Sequence, residues 1–248
     1  MTMHFLALLI AGAFAGGFLN GLAGFGTALM ALGFWLQIMP PQQSVALVVF
    51  MSVISGMQGL WITRHEIRNE PKRLARFLIP GLIGLPIGVA LLSYISVLAL
   101  KLTIASFMVI YGGFFSLRRA LPRFARPTPW ADSGVGFIGG VLGGAASLSG
   151  ALPTMWCAMR PWAKGETRAV LQPYNMAILG GALALFAMQG IYDRPTLWLL
   201  VWILPSAIIG SQFGIMLFHR LKDDQFRRLL IIIMLVSGIV LTARELLA

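Results

Sequence analysis

Two short clusters of glycine and hydroxyl residues interrupt long apolar stretches, one in each half of the chain. The clusters are Gly24, Gly26 and Thr27 in the first half, and Ser147, Ser149 and Gly150 in the second. A helix that begins at such a break leaves several backbone N–H groups without intrahelical partners and carries partial positive charge there. Hydroxyls add donors, and glycines let a ligand approach the backbone closely. This chemistry predicts a site for a small anion at the breaks.

The glycines that precede each break have a structural interpretation instead. Small residues let membrane helices approach each other closely. We expect that packing role for Gly16, Gly17, Gly21, Gly139, Gly140 and Gly144.

Polar side chains also fall in the middle of predicted membrane spans. Ser52 and Ser55 lie in the first half, and Gln172 and Asn175 flank the kinking Pro173 in the second. A serine in a membrane helix usually donates to its own backbone, so Ser55 is expected to be structural. The side-chain amides of Gln172 and Asn175 cannot satisfy their hydrogen bonds within their own helix, so they are expected either to link helices or to contact a substrate. Ser52, which aligns with Asn175, joins them in the predicted substrate site.

No carboxylate is expected at the middle of the membrane. All eight Asp and Glu residues fall in loops or near the ends of spans. A proton-coupled carrier usually keeps a buried carboxylate, so the neutral, donor-rich breaks favour an anionic substrate. Sodium held by carbonyls and hydroxyls at the broken helices is the alternative coupling ion. The three histidines are dispersed and Cys157 is the only cysteine, so neither a metal site nor a cofactor is predicted.

Composition assigns the chain to the membrane proteins. Its 248 residues are 58% hydrophobic and 11% charged, with mean hydropathy +0.84, whereas soluble domains are about 25% charged. A soluble domain, a disordered chain and a disulfide scaffold are thereby excluded. The net charge of +11 comes from basic clusters between apolar stretches, which is typical of membrane orientation, and no nucleic-acid partner is expected.

Spans and breaks follow from the length of the uncharged runs. Residues 1–63 contain no charged side chain, and as one helix they would extend about 95 Å across a core of about 30 Å. The chain must therefore turn back, at residues 24–26 and at Pro40-Pro41. We predict an all-α integral membrane protein with a first repeat over 1–121, a basic linker over 122–133 and a second repeat over 134–248. The first repeat contains a re-entrant hairpin over 4–38 and spans over 44–63, 77–96 and 100–117, and the second a hairpin over 134–159 and spans over 168–189, 196–218 and 226–243.

The two halves resemble each other residue by residue. A shift of 123 matches 8 of 16 positions between 14–29 and 137–152, and a shift of 126 aligns Gly84 with Gly210 and Gly88 with Gly214. Basic residues cluster in four loops, at 64–76, 118–126, 160–168 and 220–228. Basic loops are expected on the cytoplasmic side, and all four lie on one side of the membrane only if both broken segments are hairpins. Three full crossings per repeat then invert the second repeat and place both termini in the periplasm. Arg160, Lys164 and Arg168 serve mostly as orientation signals, with a second role of concentrating anions at the cytoplasmic mouth.

Three features of the chain are the glycine-rich segment 16–29, its partial copy 139–153, and the pair Gly84 and Gly210. In these features the chain resembles the TauE/SafE sulfite exporter family. The resemblance covers nearly the whole chain. It implies a bacterial inner-membrane protein with two homologous halves that exports sulfite, sulfoacetate or other sulfonates. The chain departs from the family pattern at Met30, which stands where Pro153 does in the second half, and at Ser147 and Ser149, where glycine is usual.

Inverted repeats with broken helices are typical of secondary transporters that bind substrate near the midplane. The sequence therefore predicts a carrier that exports a small oxyanion, with the bilayer and that anion as its partners. Two alternatives are an anion channel and a membrane-embedded enzyme or assembly subunit. The absence of clustered catalytic side chains counts against an enzyme.

Overall fold

The computed structural model describes residues 2–23, 26–67, 71–117, 124, 128–162, 164–221, 229, 232 and 239. Within that part the chain forms nine α-helices and no strand. The helices are α1 (Met3–Ala23), α2 (Thr27–Trp35), α3 (Pro41–Ile67), α4 (Pro71–Leu92), α5 (Val97–Leu117), α6 (Pro129–Ala146), α7 (Ala151–Ala158), α8 (Lys164–Met188) and α9 (Arg194–Arg220). The predicted span over 226–243 lies outside the described residues except for 229, 232 and 239.

Several helices begin earlier than the sequence predicts. Proline is favoured in the first turn, where its missing N–H group would have no intrahelical partner in any case. Pro41, Pro71 and Pro129 are the first residues of α3, α4 and α6, which were expected to begin at 44, 77 and 134. The helix α6 therefore starts inside the segment predicted as linker.

Four helical segments are long and apolar enough to cross a membrane. They are Met3–Leu22, Pro71–Leu92, Ala169–Met188 and Arg194–Leu217. Large apolar side chains lie on the outside of these helices, as in a protein surrounded by lipid; on α4 they are Ile79, Leu82, Ile83, Ile87 and Leu91. The chain is a multi-pass membrane protein.

Each break turns the chain into a helical hairpin, α1 with α2 and α6 with α7. In the first hairpin the indole Nε1 of Trp35, at the end of α2, donates to the carbonyl O of Leu9 near the start of α1 at 3.1 Å. In the second, Nε1 of Trp156 on α7 donates to Oδ1 of Asp132 in the first turn of α6 at 2.8 Å. Leu9 and Asp132 are equivalent at the shift of 123. The short arms contain nine and eight residues, about 13 and 12 Å, too short to cross a membrane.

The long arm of the first hairpin packs against α9, which belongs to the other half of the chain. A Cβ atom added at Gly17 would lie 2.2 Å from the carbonyl O of Ala207, and one at Gly21 would lie 2.1 Å from that of Ser211. Such distances leave no room for a side chain between the two backbones.

The long arm of the second hairpin packs against α4 through equivalent residues. A Cβ atom at Gly140 would lie 2.0 Å from the carbonyl O of Gly81, and one at Gly144 would lie 2.6 Å from that of Leu85. Gly140 and Gly144 are Gly17 and Gly21 shifted by 123, and Ala207 and Ser211 are Gly81 and Leu85 shifted by 126. The packing interpretation of these four glycines is confirmed, and the same contacts recur with the halves exchanged.

The helices α3 and α8 cross near their middles and run in opposite directions. Gln172 Nε2 on α8 donates to the carbonyl O of Gly56 on α3 at 3.0 Å. Near the start of α3, Gln43 Nε2 donates to Oγ1 of Thr196 at 3.0 Å. Since α9 follows α8 after a short connection, the start of α3 lies beside the end of α8.

Replacing Gly21 with alanine should lower stability by about 1–3 kcal/mol, because the new methyl group meets a backbone carbonyl that cannot move without displacing α9. Thermal unfolding of the purified protein in detergent measures this effect. Gly180→Ala on α8 is the matched control, since a Cβ atom there meets no atom within 4 Å and alanine is the better helix former. Equal melting temperatures for the two variants would contradict the packing argument.

Candidate functional site

A polar cavity lies between the tips of the two hairpins and the middles of α3 and α8. Measured as space for the centres of water-sized molecules, its volume is about 40 Å³, which is room for a few waters or a small ion at roughly 10–15 Å³ per water. Its lining residues are Asn20, Gly26, Thr27, Ser52, Gly56, Ser147, Ser149, Gly150, Gln172, Asn175, Met176 and Leu179. The structure thus brings together every predicted substrate-site residue except Gly24, which lies outside the described residues.

The cavity lies at mid-depth in the two crossing helices. Ser52 and Gly56 are about 17 and 23 Å along α3, a helix of about 40 Å. Asn175 is about 17 Å along α8, a helix of about 38 Å. A ligand in the cavity would therefore be distant from both ends of the bundle.

Equivalent residues of the two halves line the same cavity. At the shift of 123 the lining contains four matched pairs, which are Gly26 with Ser149, Thr27 with Gly150, Ser52 with Asn175, and Gly56 with Leu179. The two repeats therefore contribute equivalent positions to one cavity.

At the first tip, Gly26 caps α2 without supplying a side chain. Its φ of 92° is in the left-handed region that glycine adopts readily. No side chain caps the first turn of α2. Thr27, which begins the helix, is buried and lines the cavity. The N–H groups of this first turn have no partners within α2, and Gly26 and Thr27 place the start of the helix at the cavity.

At the second tip, Ser147 ends α6 in a left-handed conformation with φ of 56°. Such a conformation costs a non-glycine residue about 1–2 kcal/mol. The Ser147 side chain is 8% exposed, and its Oγ makes no hydrogen bond within the described part of the chain. A buried hydroxyl without a partner costs a further 1–3 kcal/mol, roughly. The strain and the unpaired donor meet at one residue that faces the cavity.

The other hydroxyl of this tip is already engaged. Ser149 Oγ donates to Oδ1 of Asn175 at 3.0 Å, which ties the tip to α8. A Cβ atom at Gly150 would lie 2.8 Å from Nδ2 of Asn175, so only glycine leaves room for that amide. Gln172 likewise links α8 to α3 through Gly56. Both amides therefore connect helices, and both also line the cavity.

Asn20 is a cavity residue that the sequence analysis did not single out. Its Nδ2 donates to Ser55 Oγ at 2.7 Å, and Ser55 Oγ donates to the carbonyl O of Met51 at 2.8 Å. The structural role predicted for Ser55 is thus confirmed. An amide in an uncharged glycine-rich helix, a few residues before a break, is the signal by which Asn20 could have been found, because such an amide needs a partner outside its own helix.

Arg160, for which the sequence suggested a second role at the cytoplasmic mouth beside that of an orientation signal, is buried in the second hairpin. Its guanidinium is buried and pairs with Asp132, with Nη2 and Oδ1 2.8 Å apart and side-chain exposures of 3% and 5%. Nη2 also donates to Thr128 Oγ1, and the guanidinium stacks on the Trp156 ring at 4.8 Å. Its charge is therefore committed to closing the second hairpin. Lys164 and Arg168 belong to α8, but their side chains lie outside the described residues.

The cavity can offer hydrogen-bond donors but no fixed charge of its own. None of the described lining residues is charged, whereas hydroxyls, amides and two helix N-termini converge there. Among the described residues, no three His, Cys, Asp or Glu side chains are close enough to bind a metal ion. The arrangement suits a small anion held by neutral donors.

Helices of membrane length around a polar cavity at mid-depth define a membrane transporter. A family model described as Sulfite exporter TauE/SafE matches residues 8–241. The chain therefore belongs to the TauE/SafE sulfite exporter family, and it is a transporter rather than an enzyme. No curated protein and no solved structure matches the chain.

Asp132→Ala should lower the free energy of unfolding by about 3–5 kcal/mol, because it leaves the buried Arg160 without its carboxylate. The double variant Asp132→Leu with Arg160→Met replaces the pair by apolar groups and should recover most of that loss. Thermal or denaturant unfolding in detergent measures both. A double variant no more stable than Asp132→Ala would contradict the assignment of the loss to an unpaired buried charge.

Proposed function

We propose that the protein exports small anions such as sulfite or sulfonates, sulfoacetate among them, through the cavity between its two hairpin tips. The observation that carries this proposal is the buried Ser147 hydroxyl, which has no partner among the described residues and faces a cavity without charged lining residues. A donor in that state is stabilised when an acceptor enters the cavity. The membrane potential is a sufficient driving force, because a monovalent anion that leaves a negative-inside cell gains about 2.3 kcal/mol per 100 mV.

We further propose that the two hairpins are re-entrant in the membrane. In the first half, α1 runs parallel to α9, since Ile10 contacts Ser206 and Phe18 contacts Gly214. The start of α3 lies beside the start of α9. After α1 and α2 the chain has therefore returned to the end of the bundle at which α1 began, which supports a hairpin that does not cross.

The second half supports the same proposal. Here α6 runs parallel to α4, since Phe77 contacts Gly136 and Leu85 contacts Gly144. Arg73 near the start of α4 pairs with Glu166 near the start of α8 at 3.6 Å. After α6 and α7 the chain is again at the end from which it started.

These directions support an inverted relation of the two repeats. The chain returns beside the end of α8 after the first hairpin, and at the start of α8 after the second. Those are opposite ends of one helix of about 38 Å. With the basic residues at 160–168 in the cytoplasm, residues 39–43 face the periplasm of a bacterial inner membrane, as do both termini.

Anion release from loaded proteoliposomes under an imposed voltage tests the function. We expect voltage-driven, saturable sulfite release that falls about tenfold in Ser147→Ala, because a hydrogen bond to a charged ligand contributes about 1.5–3 kcal/mol. Folding should be unaffected, since the hydroxyl stabilises nothing within the described protein. Ser44→Ala is the matched control, because Ser44 Oγ is also buried without a described partner but lies outside the cavity. Equal release by both variants would exclude Ser147 from the path of the anion.

Single-cysteine labelling in a Cys157→Ala background tests the topology. Gln42 and Pro161 are both exposed. A membrane-impermeant thiol reagent added to intact spheroplasts should label Gln42→Cys and spare Pro161→Cys, and permeabilised cells should show labelling of both. Labelling of both sites from one face would refute the re-entrant hairpins.

A further inference from the structure

We propose that Ser149 is a positioning residue that orients the side-chain amide of Asn175, so that the NH₂ group rather than the carbonyl oxygen faces the anion. Asn175 then contacts the anion, and Ser149 acts on it through Asn175. The inference deepens the proposed function and rests on it, because it assigns contacts to the anion in the cavity between the two hairpin tips.

The hydrogen bond between these two side chains has a defined direction. Ser149 Oγ donates to Oδ1 of Asn175 at 3.0 Å, the one acceptor that this hydroxyl has within the described part of the chain. Ser149 is 1% exposed, so bulk water does not supply another. Turning the amide over would replace the oxygen by nitrogen and leave the buried hydroxyl hydrogen without an acceptor, which is costly. The bond therefore holds the amide in one of its two orientations.

With Oδ1 engaged, the NH₂ group is the part of the Asn175 amide that remains for a ligand. Nδ2 donates to no described residue. It lies beside the second tip, since a Cβ atom at Gly150 would be 2.8 Å from it, and both residues line the cavity. The oxygens of sulfite and of a sulfonate group accept hydrogen bonds, so they are attracted to an N–H group and repelled by a carbonyl oxygen.

Ser147 supplies a further donor that does not depend on Ser149. Its hydroxyl is buried and has no partner among the described residues. With Asn175 held in the observed orientation, the second half offers one O–H group and two N–H groups at the cavity. All of these are side-chain donors, so this part of the site does not rely on the ends of helices.

The equivalent positions of the first half lack this arrangement. At the shift of 123, Ser149 corresponds to Gly26 and Asn175 to Ser52. Glycine has no side chain that could orient a partner, and serine has no amide to be oriented. The oriented donor therefore has no counterpart in the first half, and the site is asymmetric although the two repeats contribute equivalent positions to it.

The first test measures how the rate of anion release depends on anion concentration. Proteoliposomes are loaded with increasing sulfite, or with ethanesulfonate as a second probe, and are compared at one imposed voltage. Ser149→Ala should raise the half-saturating concentration about tenfold, which corresponds to 1.4 kcal/mol, because the freed amide can turn its oxygen toward the anion. The maximal rate should change less than about twofold. A lower maximal rate with an unchanged half-saturating concentration would make the bond a link between helices only, and would overturn the proposal.

A second set of variants separates positioning from direct contact. Asn175→Leu removes the amide at similar size, and Asn175→Ala gives the same comparison if the leucine variant does not fold. In either background Ser149→Ala should have no further effect on the half-saturating concentration, because no amide remains to be oriented. Ser147→Ala is the matched control and should still raise that concentration about tenfold. A tenfold rise on adding Ser149→Ala would mean that Ser149 contacts the anion itself, which would refute the positioning role.

The outcomes keep this inference separate from the proposed function. Melting temperatures in detergent establish that each variant is folded. Saturable sulfite release that depends on Ser147 but not on Ser149 or Asn175 overturns the positioning role and leaves the anion carrier intact. Release of neither sulfite nor ethanesulfonate, by unmodified protein shown to be folded and inserted, overturns the proposed function and the positioning role with it.

Discussion

Backbone N–H groups cannot remain without partners in the hydrocarbon core of a membrane, and both broken helices of this protein depend on how that requirement is met. Neither Gly26 nor Gly150 caps the helix that follows it with a side chain. A break in lipid would be unstable, and residues of both tips line the shared cavity instead. The features that make the second break costly, a strained backbone and an unpartnered hydroxyl at Ser147, therefore lie at the proposed binding site.

Enclosing the tips requires helices to approach more closely than side chains normally allow. The contacts of Gly21 with Ser211 and of Gly144 with Leu85 are backbone to backbone. Each hairpin is thus fixed to a helix of the opposite half, α1 to α9 and α6 to α4. Sliding within these pairs would force one backbone into another. In the proposed carrier, a movement that opens the cavity would therefore have to keep each hairpin with its partner helix, so the moving units would combine both halves of the sequence.

Much of this arrangement could be predicted from the sequence, because its determinants are local. Breaks at residues 24–26 and 147–150 follow from glycine and serine inside apolar runs that are too long for one membrane crossing. Polar side chains in such runs avoid lipid, so they were expected to lie together. The helices α3, α4 and α6 begin at Pro41, Pro71 and Pro129, before the predicted spans, because proline in the first turn extends a helix beyond the apolar stretch that the sequence marks. The role of Arg160 could not be predicted, because its partner Asp132 is brought close only when α7 folds back onto α6. Asn20 was missed for a similar reason, as its partner Ser55 lies on another helix.

The two halves contain equivalent helices but carry different side chains at equivalent positions, and these side chains determine how each hairpin is closed. Leu9 and Asp132 both accept an indole N–H group, yet only Asp132 does so with a carboxylate that also binds Arg160. The first hairpin is therefore closed by neutral contacts and the second by a buried ion pair. Separating that buried pair would leave each charge without its opposite charge, so opening at this end would have to leave the pair intact. In a carrier built from inverted repeats, as proposed here, the populations of the two open states would be set by side chains such as these.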